Sequence, residues 1–288
     1  MDCPVKPGND RKNRNCSIKM RLLYLGDIMG KTGRDAVAER VPQLRRELGL
    51  DFVVACGENA AHGFGITAAI CQSLYDAGVD VITLGNHAWD QREIINYIQS
   101  EPRLLRPLNY PPETPGQGMG LYRTQNGRRV IVVQVICRLF MDALDDPFRA
   151  LNQCLENHPL RDAADAIIVD VHGEASSEKA ALGVIADGRA SMVAGSHSHV
   201  PTADTRIMPG GTAFQSDAGM CGAYDSVIGM KKDVATQRFV TKMPTERLQP
   251  AEGEATVCGV YVETDDRTGL ALRAEPIRIG GVLKQARP

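Results

Sequence analysis

The sequence predicts an α/β fold, in the form of a sandwich with its helices on the outside. Short apolar runs that fit buried strands alternate with segments whose apolar residues recur at helical spacing. Beyond residue 200 the pattern changes to short strands and turns. Several apolar runs end in residues that could bind a metal ion, which predicts a site at the carboxyl ends of the strands.

The first hundred residues alternate strands with helices. The apolar run 21–25 is followed by Gly-Asp, and the run 52–56 is followed by Gly-Glu. Val37, Val41 and Leu44 share one face of a helix. The predicted elements are strand 21–25, helix 33–48, strand 52–56, a helix with Thr67 as its N-cap that extends to residue 77, strand 79–84 and a helix over 93–98.

The part of the chain after these elements begins with a segment rich in Pro and Gly, residues 107–120, which is predicted to be a loop. Asn126-Gly127 is a turn signal between two strand-like segments, so a hairpin is expected there. The predicted elements are hairpin strands 121–124 and 129–136, helix 147–156, strand 166–171, helix 178–185, strand 191–194 and a second hairpin formed by 258–263 and 270–274.

One domain is expected over residues 20–288, because the candidate site residues run from 27 to 199 and need one continuous scaffold. Residues 1–19 are polar and are expected to be a disordered extension, or a mis-called start that precedes Met20. An arm that binds nucleic acid is the functional alternative for this stretch.

Composition narrows the classes of function. The chain has 33 Lys and Arg against 35 Asp and Glu, without a basic block, so nucleic-acid binding is not expected, whereas small anionic substrates remain compatible. No apolar run reaches the roughly 18 residues of a membrane span. The eight cysteines contain no C-x-x-C pair, and scattered cysteines of this kind indicate a reduced, cytoplasmic protein.

Five predicted strands end in polar residues that could bind metal. A charged or imidazole side chain directly after an apolar run is costly to bury without a partner. One such residue is ordinary, but five in order indicate that the side chains meet. The candidates are Asp27, Glu58, Asn59, Asn86, His172, His197 and His199, with His87 directly after Asn86.

The spacing of these residues suits two ions. His197 and His199 are two apart, so in an extended segment both rings would leave the same side of the chain. The carboxylate of Glu58 could bridge two cations. Mixed nitrogen and oxygen ligands suit Mn, Fe or Zn better than Ca or Mg. Two such ions can activate a water and stabilise the oxygens of an in-line displacement.

Each residue alone has a simpler explanation. Asp27 could cap a helix, Asn86 could be a turn residue, and His172 could be structural. His62 could contact substrate but is expected to be exposed, and His158 is expected to be structural.

The segment from Gly26 to Thr32 looks like a phosphate-binding loop, but its first glycine is one residue too close to Gly-Lys-Thr. Gly30 and Gly33 are instead expected to let the chain turn tightly over Asp27.

Taken together, these motifs resemble the YmdB-type branch of the calcineurin-like metallophosphoesterases over about residues 20–280. The segments that carry the resemblance are GDIxG at 26–30, GENAA at 57–61, GNHxWD at 85–90, DxHxEAxSEK at 170–179, GxHxHV at 195–200 and DSVIGM at 225–230. The sequence departs from the branch's usual residues at Ala88, Gly173 and Pro201, which affects pocket shape rather than the candidate ligands.

The resemblance implies an α/β/β/α sandwich and a 2',3'-cyclic nucleotide phosphodiesterase with two divalent or mixed-valence ions, iron or manganese. One ion would be held by Asp27, Glu58, Asn59 and His199. Glu58 would bridge to a second ion, which Asn86, His172 and His197 complete. A metal-activated hydroxide would attack phosphorus, and His87 would protonate the leaving oxygen.

Two alternatives to this function remain at the level of sequence. The first is a phosphomonoesterase or phosphoprotein phosphatase of the same fold. The second is a metal-bearing regulatory protein with incidental turnover. A homo-oligomer is also compatible with the sequence, since segments 107–120 and 219–235 could shape either a substrate opening or a subunit contact.

Overall fold

Two β-sheets pack face to face, and helices cover the outer face of each sheet. The computed structural model of the protein describes residues 19–288. The predicted N-terminal extension therefore lies outside the described residues, apart from Lys19, whose Nζ lies 2.8 Å from Glu263 Oε2.

Within the described part of the chain, fourteen strands form the sheets. They are β1 (Met20–Leu25), β2 (Asp27–Ile28), β3 (Phe52–Cys56), β4 (Val81–Thr83), β5 (Leu104–Leu105), β6 (Met119–Arg123), β7 (Arg129–Ile136), β8 (Ala166–His172), β9 (Met192–Ser196), β10 (Arg206–Ile207), β11 (Ala213–Gln215), β12 (Met220–Ala223), β13 (Ala255–Thr264) and β14 (Ala271–Ile279). The helices of residues 19–288 are α1 (Gly30–Leu48), α2 (Ala68–Asp76), α3 (Ile94–Tyr97), α4 (Pro147–Asn157), α5 (Ser176–Ala186) and α6 (Lys232–Thr241).

The strand order explains where the polar strand ends meet. The first sheet has the order β2-β12-β13-β1-β3-β4-β5, with β14 also paired to β13, and the second has the order β10-β11-β9-β8-β7-β6. Strands β1, β3, β4 and β5 are parallel neighbours, as are β7, β8 and β9. The carboxyl ends of each parallel set therefore lie at one edge of its sheet.

Alternating side chains on the strands build three apolar layers. On β1, Leu22 and Tyr24 face the layer between the sheets, whereas Leu23 and Leu25 face the helix layer that contains α1 and α2. The second sheet repeats the arrangement, with Ile167 and neighbouring residues packed under α4 and α5. The predicted α/β/β/α sandwich is thus confirmed.

Most predicted elements are present, with shifted ends. Strand β4 covers only 81–83 of the predicted 79–84, and β9 continues two residues past the predicted end. The predicted loop 107–120 ends early, because Met119 already begins β6. The expectation of only short strands and turns after residue 200 is wrong for α6, a helix of 10 residues. The domain boundary at residue 20 stays a prediction.

The two glycines near Asp27 act differently. Gly30 has a φ of 58°, a left-handed conformation that favours glycine at this tight turn. Gly33 lies inside α1, where a Cβ atom would stand 2.1 Å from the carbonyl oxygen of Cys221. Its expected role in the turn is therefore wrong, and close packing of α1 on β12 accounts for it.

Gln134 connects the two sheets by hydrogen bonds inside the protein. This fully buried residue of β7 accepts a hydrogen bond from the Leu84 amide, at 3.0 Å, and donates to the Leu84 carbonyl oxygen. Its amide also donates to Asp170 Oδ2 on β8, at 3.0 Å. Because Leu84 directly follows β4, Gln134 fixes the end of β4 against the second sheet.

Among residues 19–288, no helix is both long and apolar enough to cross a membrane.

We expect Gln134→Leu to lower the free energy of unfolding by about 2–6 kcal/mol. The substitution leaves two buried acceptors, on Leu84 and Asp170, without their donor, at about 1–3 kcal/mol each. Equilibrium unfolding in urea measures the change. The same substitution at exposed Gln99 is the control, and we expect it to change stability by no more than about 0.5 kcal/mol. Equal effects of the two variants would contradict the bridging role of Gln134.

Candidate metal centre

The structure brings all eight predicted site residues to one place, where the strand ends of both sheets meet. Each residue follows or ends a strand: Asp27 opens β2 directly after β1, Glu58 and Asn59 follow β3, Asn86 and His87 follow β4, His172 ends β8, and His197 and His199 follow β9. The convergence of these side chains is a geometric result, whereas their roles as ligands stay a prediction.

His172 is the centre of one cluster of ligand atoms. Its Nε2 atom lies 3.0 Å from Asn86 Oδ1, 3.2 Å from Glu58 Oε1 and 3.2 Å from His197 Nδ1. Glycine is required beside this cluster, because a Cβ atom on Gly85 would stand 2.3 Å from Glu58 Oε2 and 2.4 Å from His172 Nε2.

A second cluster lies on the side of the first sheet. The Nε2 atom of His199 is 3.2 Å from Asn59 Oδ1. Asp27 is fully buried, and its Oδ2 accepts a hydrogen bond of 3.0 Å from the amide of His197. Glu58, which follows the same strand as Asn59, is also buried and faces the first cluster.

The hydrogen-bond network assigns lone pairs to the atoms that face each other. The Nδ1 atom of His199 lies 2.8 Å from the carbonyl oxygen of Ile228, which can only accept, so Nδ1 carries the proton. Asn59 donates its amide to the Gly63 carbonyl at 3.1 Å, which turns Oδ1 towards His199. In the neutral form of the His199 ring, the lone pair of Nε2 therefore meets a lone pair of Asn59 Oδ1 at 3.2 Å. A cation between them would turn repulsion into coordination, so these residues fit a metal ion.

A chain of buried hydrogen bonds orients His172. Ser196 donates its hydroxyl to Asp170 Oδ1 at 2.7 Å, so its oxygen accepts from His172 Nδ1 at 2.9 Å. This arrangement directs Nε2 at the cluster, as is usual for histidines that bind metal. The ring of His197 also has one nitrogen directed at the cluster. Its Nε2 contacts Glu174 Oε2 at 3.3 Å, so its Nδ1 faces His172.

The pKa values of the first cluster indicate that it holds a single positive charge, on His172 beside Glu58. Burial opposes a charged His172, but the carboxylate of Glu58 outweighs it and raises the pKa of His172 to about 9. Burial likewise opposes a charged Glu58, and His172 outweighs it, which lowers the pKa of Glu58 to about 2. Burial and the neighbouring His172 lower the pKa of His197 to about 3, so its ring is neutral near pH 7. A proton on His172 thus occupies the place that a metal cation would take.

The prediction that His197 and His199 lie in an extended segment is wrong. Their φ angles are 96° and 64°, in the left-handed region that side chains other than glycine rarely adopt. Strand β9 ends at Ser196, and the chain then coils so that His197 faces His172 while His199 faces Asn59. Backbone strain of this kind concentrates at functional sites, where the surrounding structure enforces it.

A buried ion pair enforces this loop conformation. Lys179 and Asp217 contact each other at 2.7 Å, and each side chain is only 2% exposed. Lys179 also donates to the carbonyl oxygen of Ser196 at 2.7 Å, and Asp217 Oδ2 accepts from the amide of Ser198 at 3.0 Å. The pair therefore holds the residues on both sides of His197.

Cys56, Ser196 and Asp217 are parts of the site that the sequence prediction omitted. The thiol of Cys56 donates to Asp27 Oδ1 at 3.4 Å, and its sulfur lies close enough to Asp27 and His172 to share a cation with them. Burial raises the pKa of Cys56 well above its usual value, so it acts there as a neutral donor. Cys56 and Ser196 are the last residues of β3 and β9, and Asp217 lies between β11 and β12, where no sequence signal marked these three.

His87 lies beside the cluster. Its amide donates to Glu58 Oε2 at 3.0 Å, and its ring Nδ1 lies 2.8 Å from Asp90 Oδ2. The ring of Phe64 contacts it edge-on, with centroids 5.1 Å apart. His62 is exposed, as expected, and His158 Nδ1 lies 2.9 Å from the carbonyl oxygen of Cys154 at the end of α4. His87 is thus the histidine placed to contact a bound substrate without joining either cluster.

Comparison with known proteins agrees with this geometry. The sequence model of a family described as "YmdB-like protein" matches residues 23–277. The 2',3'-cyclic-nucleotide 2'-phosphodiesterase of Bacillus subtilis is 45% identical over 260 residues, which cover 90% of this chain and 97% of that protein.

Solved structures lead to the same family. A hypothetical protein from Thermus thermophilus has a TM-score of 0.84 at 42% identity and covers 91% of this chain and 100% of its own. A phosphatase from Mycoplasma pneumoniae has a TM-score of 0.83 at 32% identity and covers 92% and 94%. The chain therefore belongs to the YmdB-like family, and it is an enzyme of the phosphoesterase class.

We expect Asp27→Asn to lose bound metal, because the substitution removes a buried negative charge that a cation would neutralise. Elemental analysis of purified protein, and the rise in melting temperature on adding Mn²⁺, measure the loss. Asp35→Asn makes the same chemical change on the exposed face of α1 and should bind metal as the wild type does. Full metal content in Asp27→Asn would contradict the assignment.

Proposed function

We propose that this member of the YmdB-like family is a dinuclear metal-dependent phosphodiesterase that hydrolyses 2',3'-cyclic nucleotides. One observation carries the proposal: two groups of potential ligand atoms converge at the strand ends, one around Glu58 and His172 and one around Asn59 and His199, and His87 lies beside Glu58 outside both groups. The activity of the Bacillus subtilis relative, which covers 90% of this chain, supports the choice of substrate.

The proposed ligands divide into two sets that share Glu58. Asp27, Asn59 and His199 complete the first set, and Asn86, His172 and His197 complete the second. The mixture of carboxylate, amide and imidazole donors favours iron or manganese over calcium or magnesium. When bound, such a pair of ions supplies positive charge to the phosphate oxygens and lowers the pKa of a water molecule.

His87 is the proposed proton donor to the leaving oxygen. Its amide is tied to Glu58, so the ring is positioned relative to the site where phosphate would bind. Asp90 accepts from Nδ1, which leaves Nε2 to face the substrate. Hydrolysis at phosphorus releases the ribose 2'-oxygen, which takes this proton as the bond to phosphorus breaks.

The cavity above the cluster suits a small substrate. Its volume is about 750 Å³, within the roughly 300–1,000 Å³ usual for small-molecule sites. Glu58, His87 and His199 line this cavity.

We place the enzyme in the cytoplasm, because all six cysteines of residues 19–288 are free and buried, as in proteins of a reducing compartment.

A panel of substrates tests the proposal. Protein loaded with Mn²⁺ or Fe²⁺ is assayed against 2',3'-cyclic nucleotides, nucleoside monophosphates, p-nitrophenyl phosphate and a phosphopeptide. We expect the highest kcat/KM for the cyclic nucleotides, with a nucleoside 3'-phosphate as product. A preference for monoesters or the phosphopeptide would replace the proposal with a phosphatase, and absence of turnover with every metal and substrate would support a regulatory role instead.

We expect His87→Ala to lower kcat for a 2',3'-cyclic nucleotide by about 10²–10⁴-fold, the usual contribution of a general acid. The effect should be much smaller for bis-p-nitrophenyl phosphate, since nitrophenolate leaves without a proton. Metal content should stay at the wild-type level, because His87 contacts the cluster only through its backbone.

His158→Ala serves as the control for this experiment, since His158 lies at the end of α4 outside the cavity. Equal losses for both substrates in His87→Ala would contradict the role as acid and would indicate a role in binding.

A further inference from the structure

Helix α6 and the segment after it form one wall of the cavity that contains the metal centre. The wall contributes Arg238, Phe239, Lys242 and Leu248, and Phe64, which packs in one apolar cluster with Leu248, lines the same cavity together with His87. Of α6, only Ala235 is buried, so most of this helix faces solvent or the cavity rather than the core. The helix therefore contributes little to the apolar core, and its cavity-facing side is open to a ligand.

Phe239 presents an aromatic surface to this cavity. Its side chain is 70% exposed, and the Lys242 Nζ lies 5.6 Å from its ring centroid. Val240 and Met243 are similarly exposed but do not line the cavity. Exposure of one apolar side chain is ordinary. Phe239 differs from its neighbours because its ring shares a cavity with Glu58, His87 and His199.

Positive charges surround the aromatic wall. Arg238 and Lys242 line the main cavity, and Arg238 and Arg247 line a smaller cavity of about 320 Å³ beside Phe64 and Asp90. Arg238 is fixed in place, since its Nε donates to Thr245 Oγ1 at 2.5 Å and its Nη2 donates to the Glu246 carbonyl at 3.0 Å. A basic rim of this kind attracts a phosphorylated ligand.

The position of His87 determines how a nucleotide would lie. The proton donor must contact the departing ribose oxygen, so the ribose lies against His87 and the phosphate lies over the ligand clusters. The base extends from the ribose away from the phosphate. The ring of Phe64 contacts His87, and Phe239 of α6 lines the same cavity, so both aromatic rings are available to the base.

We propose that Phe239 and Phe64 form a nucleobase subsite, in which Phe239 stacks on the base of the bound nucleotide. The inference rests on the proposed phosphodiesterase activity and adds the residues that recognise the substrate. Stacking on an aromatic ring accepts any base, because every base has a π face. The subsite therefore favours nucleotides over other cyclic phosphates and discriminates weakly among the four bases.

A pair of substrates with the same reacting atoms tests the subsite. Adenosine 2',3'-cyclic phosphate carries a base, and methyl β-D-ribofuranoside 2',3'-cyclic phosphate carries a methoxy group in its place. In the wild type, we expect kcat/KM for the nucleotide to exceed that for the riboside by about 10–100-fold, mainly through KM. Phe239→Ala should remove most of this preference and leave kcat/KM for the riboside unchanged. Phe239→Trp should retain the preference.

The control is Val240→Ala, the next residue of α6, which is exposed outside the cavity. Its preference should equal that of the wild type. A wild type that hydrolyses both substrates equally well would overturn the subsite and leave the phosphodiesterase activity intact, whereas failure to hydrolyse either would overturn the activity itself. Equal losses on both substrates in Phe239→Ala, or a change of oligomeric state by gel filtration, would also overturn the subsite and indicate a structural role for the ring.

Discussion

The contact between Glu58 and His172 joins the two halves of this fold. Glu58 follows β3 in the first sheet, and His172 ends β8 in the second, yet their side chains lie 3.2 Å apart and are almost fully buried. Buried charges of this kind are tolerated only with partners. The rest of the site is arranged around this constraint: Asn86 and His197 contact His172, and the His87 amide contacts Glu58. The same pair therefore lies at the junction of the two sheets and at the centre of the candidate site.

Around this pair, buried polar groups hold the ligand atoms in a single arrangement. The chain from Asp170 through Ser196 orients His172, and Lys179 with Asp217 holds the strained loop of His197 and His199. Each of these polar groups has a hydrogen-bonding or charged partner among the others. A fully paired network makes the core rigid, whereas a network with unpaired groups would destabilise it. A preorganised arrangement of side chains of this kind suits a reaction in which positive charge must be in position before the substrate binds.

Sequence patterns predicted the strands and the residues at their ends. In a parallel sheet, the residues that follow successive strands all lie at the same edge, so their places in the sequence predict where they meet in the fold. They could not predict β2, β5 or β10, which have two residues each and exist only through pairing with distant strands. Helix α6 has no buried apolar stripe, so the periodicity that reveals α1 is absent. The turn at His197 and His199 escaped prediction for a related reason: the ion pair that enforces it comes from residues 179 and 217.

The separation of α6 from the strand ends has a consequence for how such enzymes diversify. The candidate ligand residues lie at the strand ends of two sheets and are mostly buried, whereas α6 rests on the rim and buries only Ala235. Selection can therefore rebuild the rim, change its length or exchange its aromatic residues at little cost to folding. An enzyme built in this way can change the molecule that it accepts without a change in its reactive centre, and laboratory grafting of that one segment between paralogues would follow the same route.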